Sequence, residues 1–85
     1  MGVLSERLMA ALAAREGSAV DDGDTVVVEV DWVDRRYRDA IKSGAEALEG
    51  PRDEAGMGVW RRVARLRDAA AGEGGRPVTI WSSRG

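Results

Sequence analysis

A run of alternating residues between positions 25 and 33 is the feature that most constrains the fold of this chain. Such alternation places successive side chains on opposite faces of a β-strand. One face would be apolar, with Val26, Val28, Val30 and Trp32. The other would be mixed, with Thr25, Val27, Glu29, Asp31 and Val33. The run therefore predicts a strand in a sheet that packs against other elements on one side.

Caps, breakers and helical periodicity predict three helices and a second strand. The helices are predicted at residues 4–16, 35–49 and from 57 or 59 to 71, and the second strand at 76–82. Ser5 and Asp34 are the expected helix caps, with a turn at 18–24 and a loop at 51–58. The expected fold is α+β, or a small α/β unit, in the order α-β-α-α-β. Its two-stranded sheet would pack on the helices.

Large apolar side chains are scarce, since 13 of the hydrophobic residues are Ala and there is no Phe. The expected core consists of Val26, Val28, Val30, Ile41, Leu48, Val59, Val63, Leu66, Val78 and Ile80. A core of this size rarely supplies more than about 3–5 kcal/mol of stability. The two strands would be parallel or paired across a longer crossover, and would leave two edges open. We therefore expect a homodimer, another homo-oligomer or a heterocomplex, in which a partner or a second copy could extend the sheet.

Composition excludes several classes of function. The chain has no Cys and no His, which excludes disulfides, cysteine-ligated metal centres and a histidine base. No apolar run approaches the roughly 20 residues of a membrane span. Glu6 and Arg7 interrupt the N-terminal apolar stretch, which is untypical of a signal peptide. Residues 1–85 are expected to form one small cytoplasmic domain without membrane contact, with 83–85 as a loose tail.

The remaining polar residues suggest no catalytic, cofactor-binding or metal-binding site. Lys42, the single lysine, is four residues from Glu46 and would pair with it on a helix. The glycine-rich residues 72–76 follow a predicted helix, whereas a phosphate cradle precedes one. The acidic residues 21–24 lack the ligand spacing of an EF-hand. The chain is therefore not expected to be an enzyme.

Charge is distributed unevenly. Residues 1–49 hold six basic and 11 acidic side chains, and residues 50–85 hold seven and four. Candidate partner contacts on the basic side are Trp60, Arg61, Arg65, Arg67 and Trp81, and on the acidic side Glu29, Asp31 and Asp34. Trp and Arg are common in interface hot spots, and an acidic rim could occupy a basic groove. These features favour a protein-binding inhibitor or adaptor. The alternative is a nucleic-acid-binding module that uses the arginine face of the third helix.

Two resemblances bear on this prediction. In size, charge and lack of cysteine, the chain is similar to inhibitors encoded by phages and mobile elements, including antagonists of nucleic-acid-guided defence nucleases. Such a likeness implies an antagonist of a nucleic-acid-binding host protein. Residues 4–8 and 23–31 resemble the N-terminal stretch of large subunits of aconitase-type dehydratases. Those enzymes hold an iron–sulfur cluster through cysteines, which this chain lacks, so no activity is carried over.

Overall fold

The computed structural model describes residues 4–14, 17–56, 58–68 and 75–83. Its helices are α1 (Glu6–Leu12) and α2 (Val33–Lys42), and its strands are β1 (Ala19–Asp22), β2 (Thr25–Glu29), β3 (Glu46–Gly56), β4 (Val59–Arg67) and β5 (Pro77–Ser82). The strands form one five-stranded sheet in the order β1-β2-β5-β4-β3. Strands β2 and β5 are parallel, and every other neighbouring pair is antiparallel. The predicted two-stranded sheet on three helices, in the order α-β-α-α-β, is therefore wrong.

The N-terminal helix has the predicted cap but is shorter than expected. The Ser5 side chain accepts a hydrogen bond from the Leu8 amide at 3.2 Å, as an N-cap residue does. The helix ends where Ala13 adopts a left-handed conformation with φ 49°. Its predicted end at position 16 lies outside the described residues.

A tight hairpin occupies the region predicted as a turn. Asp22 of β1 pairs with Thr25 of β2, which leaves a two-residue loop of Gly23 and Asp24. Gly23 has φ 77°, a conformation that glycine adopts without a side-chain clash. Since Asp22 ends a strand here instead of lying inside a loop, β1 was missed in the sequence.

The second helix ends earlier than predicted, and a strand follows it. Trp32 occupies the N-cap position, and Asp34 lies in the first turn instead of capping the helix. The chain leaves the helix through Ser43 and Gly44, which has φ 104°. Among the described strands, β3 pairs only with β4 and so lies at the sheet edge, where a proline such as Pro51 is tolerated. Its exposed, polar sequence gives little hydrophobic signal of a strand.

The predicted third helix is strand β4. Val59, Val63 and Leu66 fit helical spacing, but residues 59–67 also fit a period of two. Strand β5 decides between a helix and a strand for these residues. Its Val78 and Ile80 are buried on one face and its Trp81 is half-buried on the other, as in a central strand. A central strand of this kind needs a neighbour on each edge, and β4 provides one of them.

The core lies between the sheet and the two helices. The predicted core residues that are buried are Val26, Val28, Val30, Val63, Leu66, Val78 and Ile80. Ile41 is only half-buried. Leu48 and Val59 are exposed, because Leu48 lies on the edge strand β3 and Val59 on the part of β4 beyond its pairing with β5. Helices α1 and α2 contribute Leu8, Leu12, Val33 and Ala40 to the core.

The five-stranded sheet also corrects the argument that a partner is needed to complete the sheet. Three or more strands that pack against helices can be stable without strands from another chain. Among the described residues, no helix is both long enough and apolar enough to cross a membrane. Of the expected tail, Ser83 is exposed, and residues 84–85 lie outside the described part of the chain.

Candidate binding surface

The sheet has one face covered by α1 and α2 and one face that no described helix covers. We call the second the open face. Strand alternation and register assign to it Val20, Asp22, Thr25, Val27, Glu29, Glu46, Glu49, Arg52, Glu54, Arg61, Val63, Arg65, Arg67, Thr79 and Trp81, among others. The face is therefore built from all five strands, with β5 in the middle.

A tryptophan and an arginine form the centre of the open face. The Arg61 guanidinium carbon lies 4.5 Å from the centroid of the Trp81 ring, within the range of a cation–π contact. Trp81 pairs across the sheet with Val63, which is only 7% exposed although no described helix covers it. Val27 and Thr79 line the same shallow concavity of about 320 Å³. The centre is thus an aromatic and aliphatic patch with a cation stacked on it.

A bridging arginine on β3 determines which charges on the open face remain unpaired. Arg52 contacts Glu49 at 2.9 Å and Glu54 at 3.0 Å. These two carboxylates lie directly across from Arg65 and Arg61 in the β3–β4 register. In the described part of the chain, no carboxylate oxygen lies within 4.0 Å of the Arg61 or Arg65 guanidinium nitrogens. Two exposed guanidinium groups are therefore available to a partner on this face.

The predicted acidic contacts have different environments. Glu29 lies on the open face, beside Trp81 in the β2–β5 register. Asp31 instead accepts two hydrogen bonds from Arg36, at 2.7 and 2.8 Å, and these hold its pKa well below its ordinary value. The ion pair of Asp31 with Arg36 therefore joins α2 to the short connection that follows β2.

The third acidic candidate, Asp34, forms a similar pair with Arg62 on the covered side of the sheet. The two groups share hydrogen bonds of 2.9 and 3.1 Å, and Asp53 adds a further contact to Arg62 at 3.3 Å. This hydrogen bonding lowers the pKa of Asp34 and raises the pKa of Arg62. Since both oxygens of Asp34 already bind Arg62, the pair joins α2 to β4.

Two of the predicted partner contacts on the basic side, Trp60 and Arg67, lie away from the Arg61–Trp81 pair. Trp60 is 68% exposed and shares a face with Arg62, on the part of β4 that extends beyond its pairing with β5. Arg67 is 3.8 Å from Glu46, across the β3–β4 pair. Because β4 is a strand, Arg61, Arg65 and Arg67 lie on the open face and Arg62 lies on the covered face, so the four do not form one helical face.

Sequence reasoning overlooked other residues of the surface. Val27, Thr79 and the bridging Arg52 were not chosen, and neither was Trp32, which is 62% exposed next to α2. The period-two pattern of Arg61, Val63 and Arg65 was the available signal, because it places cation, apolar residue and cation on one strand face.

A second, polar depression of about 410 Å³ lies where the parallel strands β2 and β5 end. It is lined by Glu29, Asp31, Ser82 and Ser83, among others. The Ser82 hydroxyl lies 3.4 Å from the Asp31 carbonyl oxygen, so it joins the end of β5 to the connection before α2. The described residues contain no cluster of three or more side chains placed to hold a metal ion.

A scan of protein-family models, a search of curated proteins and a search of solved structures each found no match for this chain. The aconitase-type resemblance gains no support from them. The function is therefore inferred from the residues and contacts of the open face.

Proposed function

We propose that this chain is a non-catalytic protein-binding domain, acting as an inhibitor or adaptor, that contacts its partner through the open face. The stacking of Arg61 on Trp81, at the centre of a sheet face without a described cover, carries the proposal. Arg and Trp dominate interface hot spots because they combine large apolar area with polar groups. Val63, which pairs with Trp81 across the sheet, adds an apolar side chain that is already shielded from water.

The shape of the open face favours a macromolecule over a small molecule. Its concavity is shallow and lies on four adjacent strands, with Val27 on β2, Thr79 on β5, Arg65 on β4 and Glu54 on β3. Small ligands instead bind in clefts that enclose most of their surface. A broad, nearly flat patch with an aromatic centre is typical of contacts between proteins.

The charges of the open face favour a protein over a nucleic acid. The carboxylates of Glu29, Glu49 and Glu54 lie among its arginines, and the whole chain has a formal charge of −2. Phosphate binding depends on a concentration of positive charge that this mixture dilutes.

Self-association and a cytoplasmic location remain part of the proposal. The edge strands β1 and β3 each have one unpaired side in the sheet, which a second copy could use. Copies that associate through the edge strands would leave the open face free for a partner. Copies that meet at the open face would compete with the partner for it. The two modes can therefore be separated by mutation of the open face.

A charge-reversal experiment tests the proposal. Arg61→Glu with Arg65→Glu should abolish retention of the protein partner in a pull-down from cells that produce the chain. The matched control is Arg7→Glu with Arg35→Glu, which changes two exposed helix arginines by the same net charge and should retain the partner. Circular dichroism would verify that both variants are folded.

Two results would contradict the proposal. The first is equal retention by both double variants, which would move the contact away from the open face. The second is the loss of a DNA or RNA mobility shift at low salt in Arg61→Glu with Arg65→Glu but not in the control, which would identify a nucleic acid as the partner.

A further inference from the structure

We infer that the open face binds an extended, acidic protein segment with two carboxylates four residues apart and an apolar side chain midway between them. This inference rests on the proposed function and specifies the chemistry of the partner. The three matching features of the chain are the guanidinium groups of Arg61 and Arg65 and the Trp81–Val63 patch between them.

The spacing of these features corresponds to the repeat of an extended chain. Arg61, Val63 and Arg65 occupy alternate positions of β4 and point to the open face. Alternate residues of a strand are about 6.6 Å apart, so the α-carbons of the two arginines are separated by about 13 Å. A second extended segment has the same repeat, so its residues i, i+2 and i+4 can face Arg61, the patch and Arg65. Strands packed face to face align within about 30°, which preserves this match.

The surrounding charges orient the segment along β4. Glu29 lies on the β2 side of Trp81 and would repel a carboxylate placed there. On the β3 side, Arg52 engages Glu49 and Glu54, and neither carboxylate lies within 4.0 Å of the arginine across from it. The favourable path for an acidic segment therefore follows Arg61 to Arg65 and does not cross the sheet.

A second copy of the chain fits this path poorly. Among the described strands, only residues 49–53 of β3 place carboxylates four residues apart around an apolar residue, with Pro51 in the middle. The β3–β4 register shifts between Glu49 and Arg52, which breaks the period-two spacing of that stretch. A distinct acidic protein segment is therefore the better occupant.

The test uses the full ¹⁵N-labelled chain and a seven-residue capped peptide with the order Ser-Glu-Thr-Val-Thr-Glu-Ser. Its matched control replaces both Glu residues with Gln. The acidic peptide should shift the indole N–H signal of Trp81 and the amide signals of Val63 and Arg65 in a saturable manner. The Gln peptide should bind about tenfold more weakly, because it loses two charge-assisted contacts.

Protein variants locate the site. Arg61→Gln with Arg65→Gln should lose the preference for the acidic peptide, whereas Arg7→Gln with Arg35→Gln should keep it. Arg52→Ala should weaken binding severalfold although its side chain lies outside the path, because Glu49 and Glu54 would then turn to Arg65 and Arg61. A peptide that merely sensed total charge would respond alike to the loss of any arginine, so Arg7→Gln with Arg35→Gln would then weaken binding as much as Arg52→Ala.

The inference is overturned by the absence of saturable shifts, by equal binding of the two peptides, or by an oligothymidylate that shifts the same signals more strongly. It is also overturned if sedimentation shows a dimer that Trp81→Glu dissociates, because the open face would then be covered by a second copy. If the pull-down partner depends on Arg61 and Arg65 but contacts them without carboxylates, the proposed function stands and only this inference fails.

Discussion

The two faces of the sheet differ in what their side chains do. On the covered face, Val26, Val28, Leu66, Val78 and Ile80 are each at most 1% exposed. On the open face, Val63 is the only described residue of comparable burial, and its neighbours are arginine, tryptophan and threonine. Since every strand contributes alternate residues to both faces, one short sequence supplies the core on one side and the candidate binding surface on the other.

A pair of identical substitutions gives the largest expected contrast between the faces. Val78→Ala on the covered face should lower the free energy of unfolding by about 2–3 kcal/mol, because the helices cannot fully close the cavity. Val63→Ala on the open face should cost about 1 kcal/mol, since side chains that border solvent can shift into the space. Urea unfolding measures both.

The two residues are both buried valines in neighbouring strands, so loss of β-propensity is similar in the two variants. Ile80→Val, with an expected cost of about 0.5–1.5 kcal/mol, reports on the covered face even if Val78→Ala does not fold. Equal costs at positions 63 and 78 would contradict the contrast and would indicate that the open face is also packed in solution.

A smaller effect is expected within the open face itself. Arg61→Ala should lower the free energy of unfolding by about 0.5–1 kcal/mol, because the cation–π contact with Trp81 is lost. Arg65→Ala, on the same strand face but without a ring contact in the described residues, should change it by less than about 0.5 kcal/mol. A double-mutant cycle with Trp81→Leu separates the contact from other effects of the Arg61 substitution.

If Arg61→Ala and Arg65→Ala were equally stable in urea and the indole signal of Trp81 did not move in the first variant, the stacked pair would not persist in solution. The centre of the proposed surface would then be the Trp81 and Val63 side chains without a fixed cation.

The smallest effect concerns the ion pair at the margin of the covered face. Hydrogen bonding to Arg62 holds the pKa of Asp34 below its ordinary value of 3.8. Its ionised form therefore stabilises the fold above that pH, and the stabilisation is lost as the pH falls through the lower folded-state pKa. Asp34→Asn should consequently show a smaller drop in thermal midpoint than the parent chain between about pH 7 and pH 3.

The Asp34→Asn variant should still lose some thermal stability in acid, because the pKa values of Asp31 and Asp21 are also lowered, by Arg36 and Arg76. If Asp34→Asn loses as much thermal stability on acidification as the parent chain, the pair with Arg62 contributes nothing to folding. The covered face would then be stabilised by its apolar residues alone.

Sequence patterns located the elements whose apolar periodicity fits only one kind of secondary structure. Strands β2 and β5 are found where the alternation of β-branched residues predicted them, but β2 ends at Glu29 instead of position 33. Trp32, which was expected on its apolar face, is exposed at the N-cap of α2, and Val33 lies in that helix. Helix α1 was located by Ser5 and the buried pair Leu8 and Leu12, although its end was placed too late.

Prediction failed where local signals conflicted or were weak. Residues 59–67 fit both a helix and a strand, and pairing with β5 decided in favour of the strand. Strand β3 is polar and contains Gly50 and Pro51, so only its pairing with β4 identifies it. Both failures concern contacts between residues that are distant in the sequence or that lie at an exposed edge.

The candidate surface was predicted in part by residue type and could not be assembled from the sequence. Of the residues chosen as partner contacts, the structure brings five to the open face: Arg61, Arg65, Arg67, Trp81 and Glu29. Asp31 and Asp34 bind Arg36 and Arg62 instead, which depends on how α2 packs against β4. No pattern in the sequence indicates that Arg52 holds both neighbouring glutamates.

The amino-acid sequence by itself determined the exclusion of thiol and imidazole chemistry, the alternation of β2 and β5, and the supply of arginines in the second half of the chain. The tertiary structure alone decided that β4 is a strand, that β5 lies between β2 and β4, and that Arg61 stacks on Trp81. The reason is physical: side-chain periodicity is a local property, whereas strand pairing and burial depend on which distant segment supplies the missing hydrogen bonds and apolar contacts.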